Sequence, residues 1–171
     1  MVGVRLISER GGQARIRWQP YAGAAAVVAA AAALGSAATD SRSTWYRQLS
    51  KPRWQPPPWV FGASWTPLYA SLAWSVGRAW SQADDGERSK LATALAVNLC
   101  LNAAWSWLFF AARSPRAGLA GTALLNVSNL HLIRRASSSD PCAATGLLPY
   151  AAWCWFATAL NAEIVHLNPR L

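Results

Sequence analysis

Five long apolar runs, separated by short polar breaks, organise this chain: 21–39, 59–81, 91–112, 115–133 and 143–167. Each is close to the ~20 helical residues that cross a ~30 Å hydrocarbon core at ~1.5 Å per residue. The breaks carry turn and capping chemistry. They read Thr39-Asp40-Ser41 after the first run, Ala83-Asp84-Asp85-Gly86 after the second, Arg113-Ser114-Pro115 after the third, and Ser137 through Pro141 after the fourth. Links this short make consecutive helices antiparallel neighbours. The pattern predicts an all-α fold, a five-transmembrane-helix bundle over residues 20–168, preceded by a polar N-terminal arm at 1–19. The first run also fits a cleavable signal peptide, because an Arg-containing start leads into an Ala-rich stretch ending Gly35-Ser36-Ala37-Ala38.

Composition supports the membrane reading. Charged residues are 13% of the 171, about half the ~25% of a soluble domain, and apolar residues are 53%. Mean hydropathy is only +0.13 because the scale treats Trp as mildly polar and the chain has 11. The net charge of +9 would suit nucleic acid. The Lys and Arg residues, however, cluster at the ends of apolar runs, where they meet lipid headgroups. Membrane lipid is therefore the expected partner and nucleic acid is not. A slight excess of cations flanking the N-terminal side leans toward an inside N-terminus. The Ala- and Arg-rich composition hints at a GC-rich genome, and a bacterial cell membrane is the expected, though not deduced, location of this multi-pass protein.

Isolated reactive side chains add little. Cys100, Cys142 and Cys154 form no CxxC pair and read as small packing residues, so no metal site is expected. His131 and His166 lie near run ends and read as interfacial rather than as haem ligands. Glu163 is the only acid inside a run, about one turn from its end, where snorkelling or interface packing accounts for it.

The most informative stretch is 45–62. Pro52, Pro56, Pro57 and Pro58 exclude a regular helix there and favour extended geometry. Trp45, Tyr46, Lys51, Pro52, Pro56, Pro57 and Trp59 form a stiff connection in which aromatic rings alternate with cations. Such a segment suits a membrane-interface belt, and equally a lid over a cavity. In the second run Trp65, Tyr69 and Leu72 share a helical face. In the third, Asn98, Asn102, Trp105 and Phe109 do so, and in the fifth Trp153, Ala157, Leu160 and Asn161. Converging, these faces would line a cavity with indole walls, joined from the loop by Trp54, fit for a large planar apolar ligand. The competing reading has the aromatics packing the bundle and the asparagines bonding between helices, and for Asn98 and Asn102 that reading is favoured.

These residues carry a family pattern. Trp45-Tyr46, Lys51-Pro52, Trp54, Pro56-Pro57, Trp59-Val60-Phe61-Gly62, Trp65-Thr66 and Leu68-Tyr69 are followed by Leu101-Asn102, Trp105 and Leu108-Phe109-Phe110. Pro149-Tyr150, Trp153, Phe156-Ala157 and Leu160-Asn161 complete it. In this the chain resembles the TspO/MBR family, the translocator and tryptophan-rich sensory proteins. The resemblance implies a five-helix bundle, commonly a homodimer, whose pocket binds porphyrins and haem. It places the first run at the family's first helix, matches Trp65 and Trp153 to two pocket tryptophans, and matches Trp105 and Ala157 to ligand-lining positions. The family's sterol motif is not matched after Leu160-Asn161, where the chain reads Ala162-Glu163-Ile164-Val165-His166.

The expected function is binding of a porphyrin or haem-type tetrapyrrole as sensor, scavenger or regulator, with no cofactor required. Light-dependent porphyrin breakdown at Trp65 and Trp153 is a second expectation. Transport of a porphyrin, sterol or other lipid-like ligand is a third. No acid–base pair, nucleophile or nucleotide loop supports other catalysis.

Overall fold

The computed structural model describes residues 18–170, so the predicted arm at 1–19 lies outside the described residues except for Trp18 and Gln19. The fold is all-helical, with no strand among the described residues. In chain order the helices are α1 (Gln19–Ala38), α2 (Thr44–Gln48), α3 (Pro58–Gln82), α4 (Asp85–Ser106), α5 (Pro115–Ser139), α6 (Pro141–Gly146) and α7 (Leu148–Leu167). A π-helical turn, Trp107–Ala111, extends α4.

The polar breaks act as caps. Asp84 accepts from Glu87 N at 2.8 Å and Ser114 Oγ from Ala117 N at 3.2 Å. Asp140 accepts from Cys142 N at 2.7 Å and Ala143 N at 3.3 Å. Each side chain satisfies donors that a helix start leaves free, and Pro115 and Pro141 follow where a missing N–H costs nothing.

Three predicted boundaries are corrected. The third run was read as starting at 91, but α4 begins at Asp85: the Asp84 cap and the Arg88–Asp85 and Lys90–Glu87 pairs sustain a charged first turn that hydropathy excludes. The fourth was read as ending at 133, whereas α5 continues to Ser139, its last serines bonding back to helix carbonyls. The fifth, read as one span over 143–167, is broken at Leu147 into α6 and α7. Pro149 is tolerated only in a first turn, so the helix restarts at Leu148. The proline-rich connection is non-helical from Pro52 to Pro57 as expected, though not extended throughout, since Gln55 N donates to Pro52 O at 3.0 Å and closes a turn at Arg53–Trp54; Thr44–Gln48 before it is a short helix.

α1 packs against α3 and α4, α4 against α5, and α5 against α7. The α1–α3 seam is tightest at Gly77, where a Cβ would lie 2.8 Å from Tyr21 Cα. The interior is unusually polar: Asn98, Asn102, Asn126, Asn129 and Asn161 are all buried. Asn98 Nδ2 donates to Asn129 Oδ1 at 2.7 Å and Ser128 Oγ at 3.3 Å, and Tyr150 OH donates to Asn98 Oδ1 at 3.0 Å. Asn98 thus bonds between helices as expected. The outer faces are apolar, with Val27, Leu34, Val97, Leu124, Val127 and Trp155 exposed. Of the three cysteines read as small packing residues, Cys100 and Cys142 are exposed and Cys154 is buried. Two helices, Gln19–Ala38 and Asp85–Ala111 with its π turn, are long and apolar enough to cross a membrane.

Candidate ligand site

The segment 39–57 closes one end of the bundle. Ser43 Oγ accepts from Tyr46 N at 3.3 Å and starts α2. The Lys51 ammonium donates to Tyr46 O and to Leu49 O, the carbonyls at the end of α2, and lies 4.4 Å over the Tyr46 ring. Burial lowers the Lys51 pKa and raises that of Tyr46, the latter effect partly offset by the hydrogen bond from Gln55. Leu49 is buried among Phe109, Leu160 and Ile164. Asn168, just past α7, grips the next residue: its Oδ1 accepts from Ser50 N at 3.1 Å and its Nδ2 donates to Ser50 O at 2.9 Å. The connection is pinned at both an apolar and a polar point.

Beneath it two aromatic walls face each other. On α3 and α7, the Trp65 and Tyr69 rings stack at 5.0 Å and 23°. Trp153 meets Trp65 edge-on at 6.4 Å and Phe61 at 6.0 Å. On the other side Trp105 stacks on Phe109 at 5.4 Å and 25°, with Phe110 edge-on to Trp105 at 5.9 Å. The π turn brings this second group together. Ala112 N donates to Trp107 O at 2.8 Å, an i→i+5 bond, and the wider turn lets adjacent Phe109 and Phe110 join Trp105 on one side. The turn ends at Arg113, whose φ of 52° closes the helix in the left-handed region.

Between the walls is a cavity of about 590 Å³, within the range of small-molecule sites. Its polar groups are fixed by bonds at the wall. Tyr69 OH donates to Asn102 Oδ1 at 2.9 Å, and Asn102 Nδ2 donates to Tyr150 OH at 3.0 Å. Trp105 Nε1 donates to Asn161 Oδ1 at 3.1 Å, and Asn161 Nδ2 donates to Pro115 O at 2.8 Å. The Trp65 and Trp153 ring N–H groups have no such partner among the described residues. This leaves a mostly apolar slot walled by flat rings.

Of the ten residues assigned from sequence to ligand binding, Trp65, Tyr69, Asn102, Trp105, Phe109, Trp153, Ala157, Leu160 and Asn161 line the cavity. Trp54 does not: it meets Phe156 edge-on at 5.9 Å and is half exposed. Among the lid residues Tyr46 reaches the cavity; Trp45 supports it from behind, 5.7 Å from Phe109. Lys51, Pro52, Pro56 and Pro57 build the connection without lining the cavity, and Trp59 points outward, 72% exposed. Leu72 and Asn98 share helical faces with wall residues but lie in the core. Sequence reasoning missed the contributions of α1 (Ala33, Gly35, Ser36) and α5 (Thr122, Leu125), together with Phe61 and Phe110. Small residues on α1 carried no signal, whereas the Phe109-Phe110 pair beside Trp105 could have been read as an aromatic cluster.

Fold and cavity together define a class: an all-helical bundle enclosing an aromatic-walled slot under a pinned proline-rich connection. Residues 24–167 match the TspO/MBR family. The chain is 38% identical over 141 residues to the tryptophan-rich protein TspO of Chlorobaculum tepidum, covering 79% of this chain and 87% of that one. It is 37% identical over 122 residues to the human translocator protein, covering 68% and 70%, and 33% identical over 143 residues to protein CrtK of Rhodobacter capsulatus, covering 83% and 89%. The chain belongs to the TspO/MBR family. The helix α1 falls largely within the matched region, in keeping with its packing against α3 and α4.

Proposed function

We propose that this protein is a five-helix integral membrane protein that binds porphyrin or haem-type tetrapyrroles in the cavity, as a sensor, scavenger or regulator of their level. The observation that carries the reading is the pair of facing aromatic walls across a 590 Å³ slot. Flat π surfaces on both sides favour a flat aromatic guest, since offset stacking and edge contacts add to apolar burial. The membrane part rests on inverted polarity. Five buried asparagines inside and Val, Leu and Trp outside suit a lipid solvent, in which polar groups bond within the bundle. Among the relatives' sources, Chlorobaculum and Rhodobacter favour a bacterial cell membrane.

Transport through the bundle fits less well. Away from the connection, Leu72, Leu91, Leu132, Ala136, Ala143 and Leu147 fill the interior beyond the cavity, all fully buried. The slot therefore has a floor. A light-dependent reaction fits better, because Trp65 and Trp153 are in edge contact at 6.4 Å and either indole could give one electron to a photoexcited porphyrin. That step yields an indole radical cation and a porphyrin radical anion, and ring opening would take dioxygen as oxidant.

Titration of purified protein with protoporphyrin should quench Trp fluorescence. The double variant W65F/W153F, which keeps an aromatic ring at each position but removes the larger indole surface and its N–H, should bind about tenfold more weakly, equivalent to ~1.4 kcal/mol. W65A/W153A should abolish saturable quenching. Unchanged affinity in both variants sinks the site. Illumination of the bound complex separates the two readings: product formation beyond free-porphyrin bleaching, lost in W65F/W153F, favours breakdown.

A further inference from the structure

The geometry points to a lateral portal: the cavity takes its ligand from the bilayer through a gap between α1 and α3, so its ligand class is molecules that partition into lipid before they bind. This rests on the membrane reading above and goes beyond it, since an aromatic slot alone is silent on the side from which it is filled.

Three sides are closed, and the connection above is pinned toward α7, with exposed Thr39 and Ser41 lining the cavity at its α1 edge. Overhead, Leu49 is buried and Asn168 holds Ser50 from both its N–H and its carbonyl. Along the α1–α4 seam, a Cβ at Gly35 would lie 3.5 Å from Ala103 Cα, and Trp107 Nε1 donates to Leu34 O at 3.1 Å. Along α3–α7, the rings of Phe61 and Trp65 meet Trp153. On the α4, α5 and α7 side the wall is made of buried Ser106, Thr122, Leu125 and Asn161.

The α1–α3 side differs. The cavity-lining residues exposed there are Ala33 and Ser36 on α1 and Pro58, Gly62 and Thr66 on α3, none larger than threonine. A Cβ at Gly62 would meet nothing within 4 Å. Yet the same two helices touch closely at the other end, where Gly77 lies on Tyr21. Between that contact and the gap sits Pro67, inside α3, where it removes a backbone donor. The gap is thus a consequence of sequence: a tight glycine contact, a proline, then a face of small residues. Ser36, Thr39 and Ser41 line the cavity at its connection end. A guest sliding in sideways would keep its polar edge toward the interface and its apolar body in the slot.

Cys154 is buried and a poor target for alkylation, so Ala157, partly exposed on the cavity wall, takes the reporting thiol. A C100S/C142S/C154S/A157C chain reconstituted into phosphatidylcholine vesicles then carries a single thiol. Its labelling is followed with a pyrene maleimide dissolved in the bilayer and with a sulfonated maleimide in the water. The pyrene reagent should react faster. G62F and T66W, which fill the gap, should each slow it about tenfold, whereas N168A, which loosens the roof, should leave both rates within about twofold. Equal rates for the two reagents, or acceleration by N168A with no effect of the gap variants, would overturn the portal. Labelling needs no porphyrin. A chain that fails to quench with protoporphyrin but shows this pattern loses the tetrapyrrole reading and keeps the portal, and vesicle flotation reports membrane insertion separately.

Discussion

A methyl group at Gly118 would sit 2.8 Å from Asn161 Oδ1 and 2.9 Å from Phe109 Cδ2, two cavity-wall residues. At Gly121, one turn on in α5, the nearest atom would be a Leu108 methyl at 3.2 Å, the far end of a flexible side chain. Alanine gains up to ~1 kcal/mol of helix propensity over glycine at either place. At Gly118 overpacking outweighs that gain: G118A is expected to lower stability by about 1–3 kcal/mol and to break the Trp105–Asn161 bond, shifting Trp emission. G121A should be near neutral. Thermal unfolding in detergent with intrinsic fluorescence compares the two. At this scale much of the site was legible. Trp65 with Tyr69, and Trp105 with Phe109, are four residues apart, and their large rings announce a face. Gly35, Ser36 and Thr122 were not legible, because a small residue looks the same in a wall as in any helix seam. Trp54 and Trp59 misled in the opposite sense, since an indole at an interface and one in a cavity are the same letter.

The proline-rich connection titrates as an element. Tyr46 has a raised pKa, so its stabilisation is complete below the ordinary phenol value of ~10 and is lost as pH climbs from there through the folded value. Lys51 has a lowered pKa, so its charged form is disfavoured in the fold and stability rises as pH passes through that lowered value toward ~10.4. Stability should therefore climb toward about pH 10 and fall beyond it. Y46F should remove the fall and K51M the rise, read from apparent Tm across the alkaline range. Loss of the fall in K51M rather than Y46F would contradict the assignment. Helix existence and order followed from apolar runs and capping residues, but the sequence Trp-Leu-Phe-Phe-Ala at 107–111 contains nothing to separate a π turn from an α turn. That choice is made by packing Phe109 under Leu49 and against Trp45. The break at Leu147 was in principle readable from Pro149, and was hidden by the continuous hydropathy around it.

For the molecule as a whole, the two ends have different tasks. Opposite the cavity, Asp140 caps α6 and lies 2.6 Å from Arg78 Nε on α3, an ion pair by distance whose N–H is not aimed along the contact. D140A should cost about 0.5–2 kcal/mol through the lost cap, and D140N, which keeps an acceptor, less. Neither should change protoporphyrin affinity measured by quenching, because the buried apolar layer separates this end from the slot. A change of more than about tenfold would mean that the ends are coupled, at ~1.4 kcal/mol or more. The all-helical plan was legible in the apolar runs, yet their unequal hydropathy has its own meaning. α5 carries Asn126, Ser128 and Asn129, and its partner for the last two is Asn98 of α4. A helix so equipped is a poor solo passenger for lipid. On the proposed membrane reading, α5 emerges after α4 and pairs those amides against it, so the buried asparagine cluster would order assembly as well as fill the core.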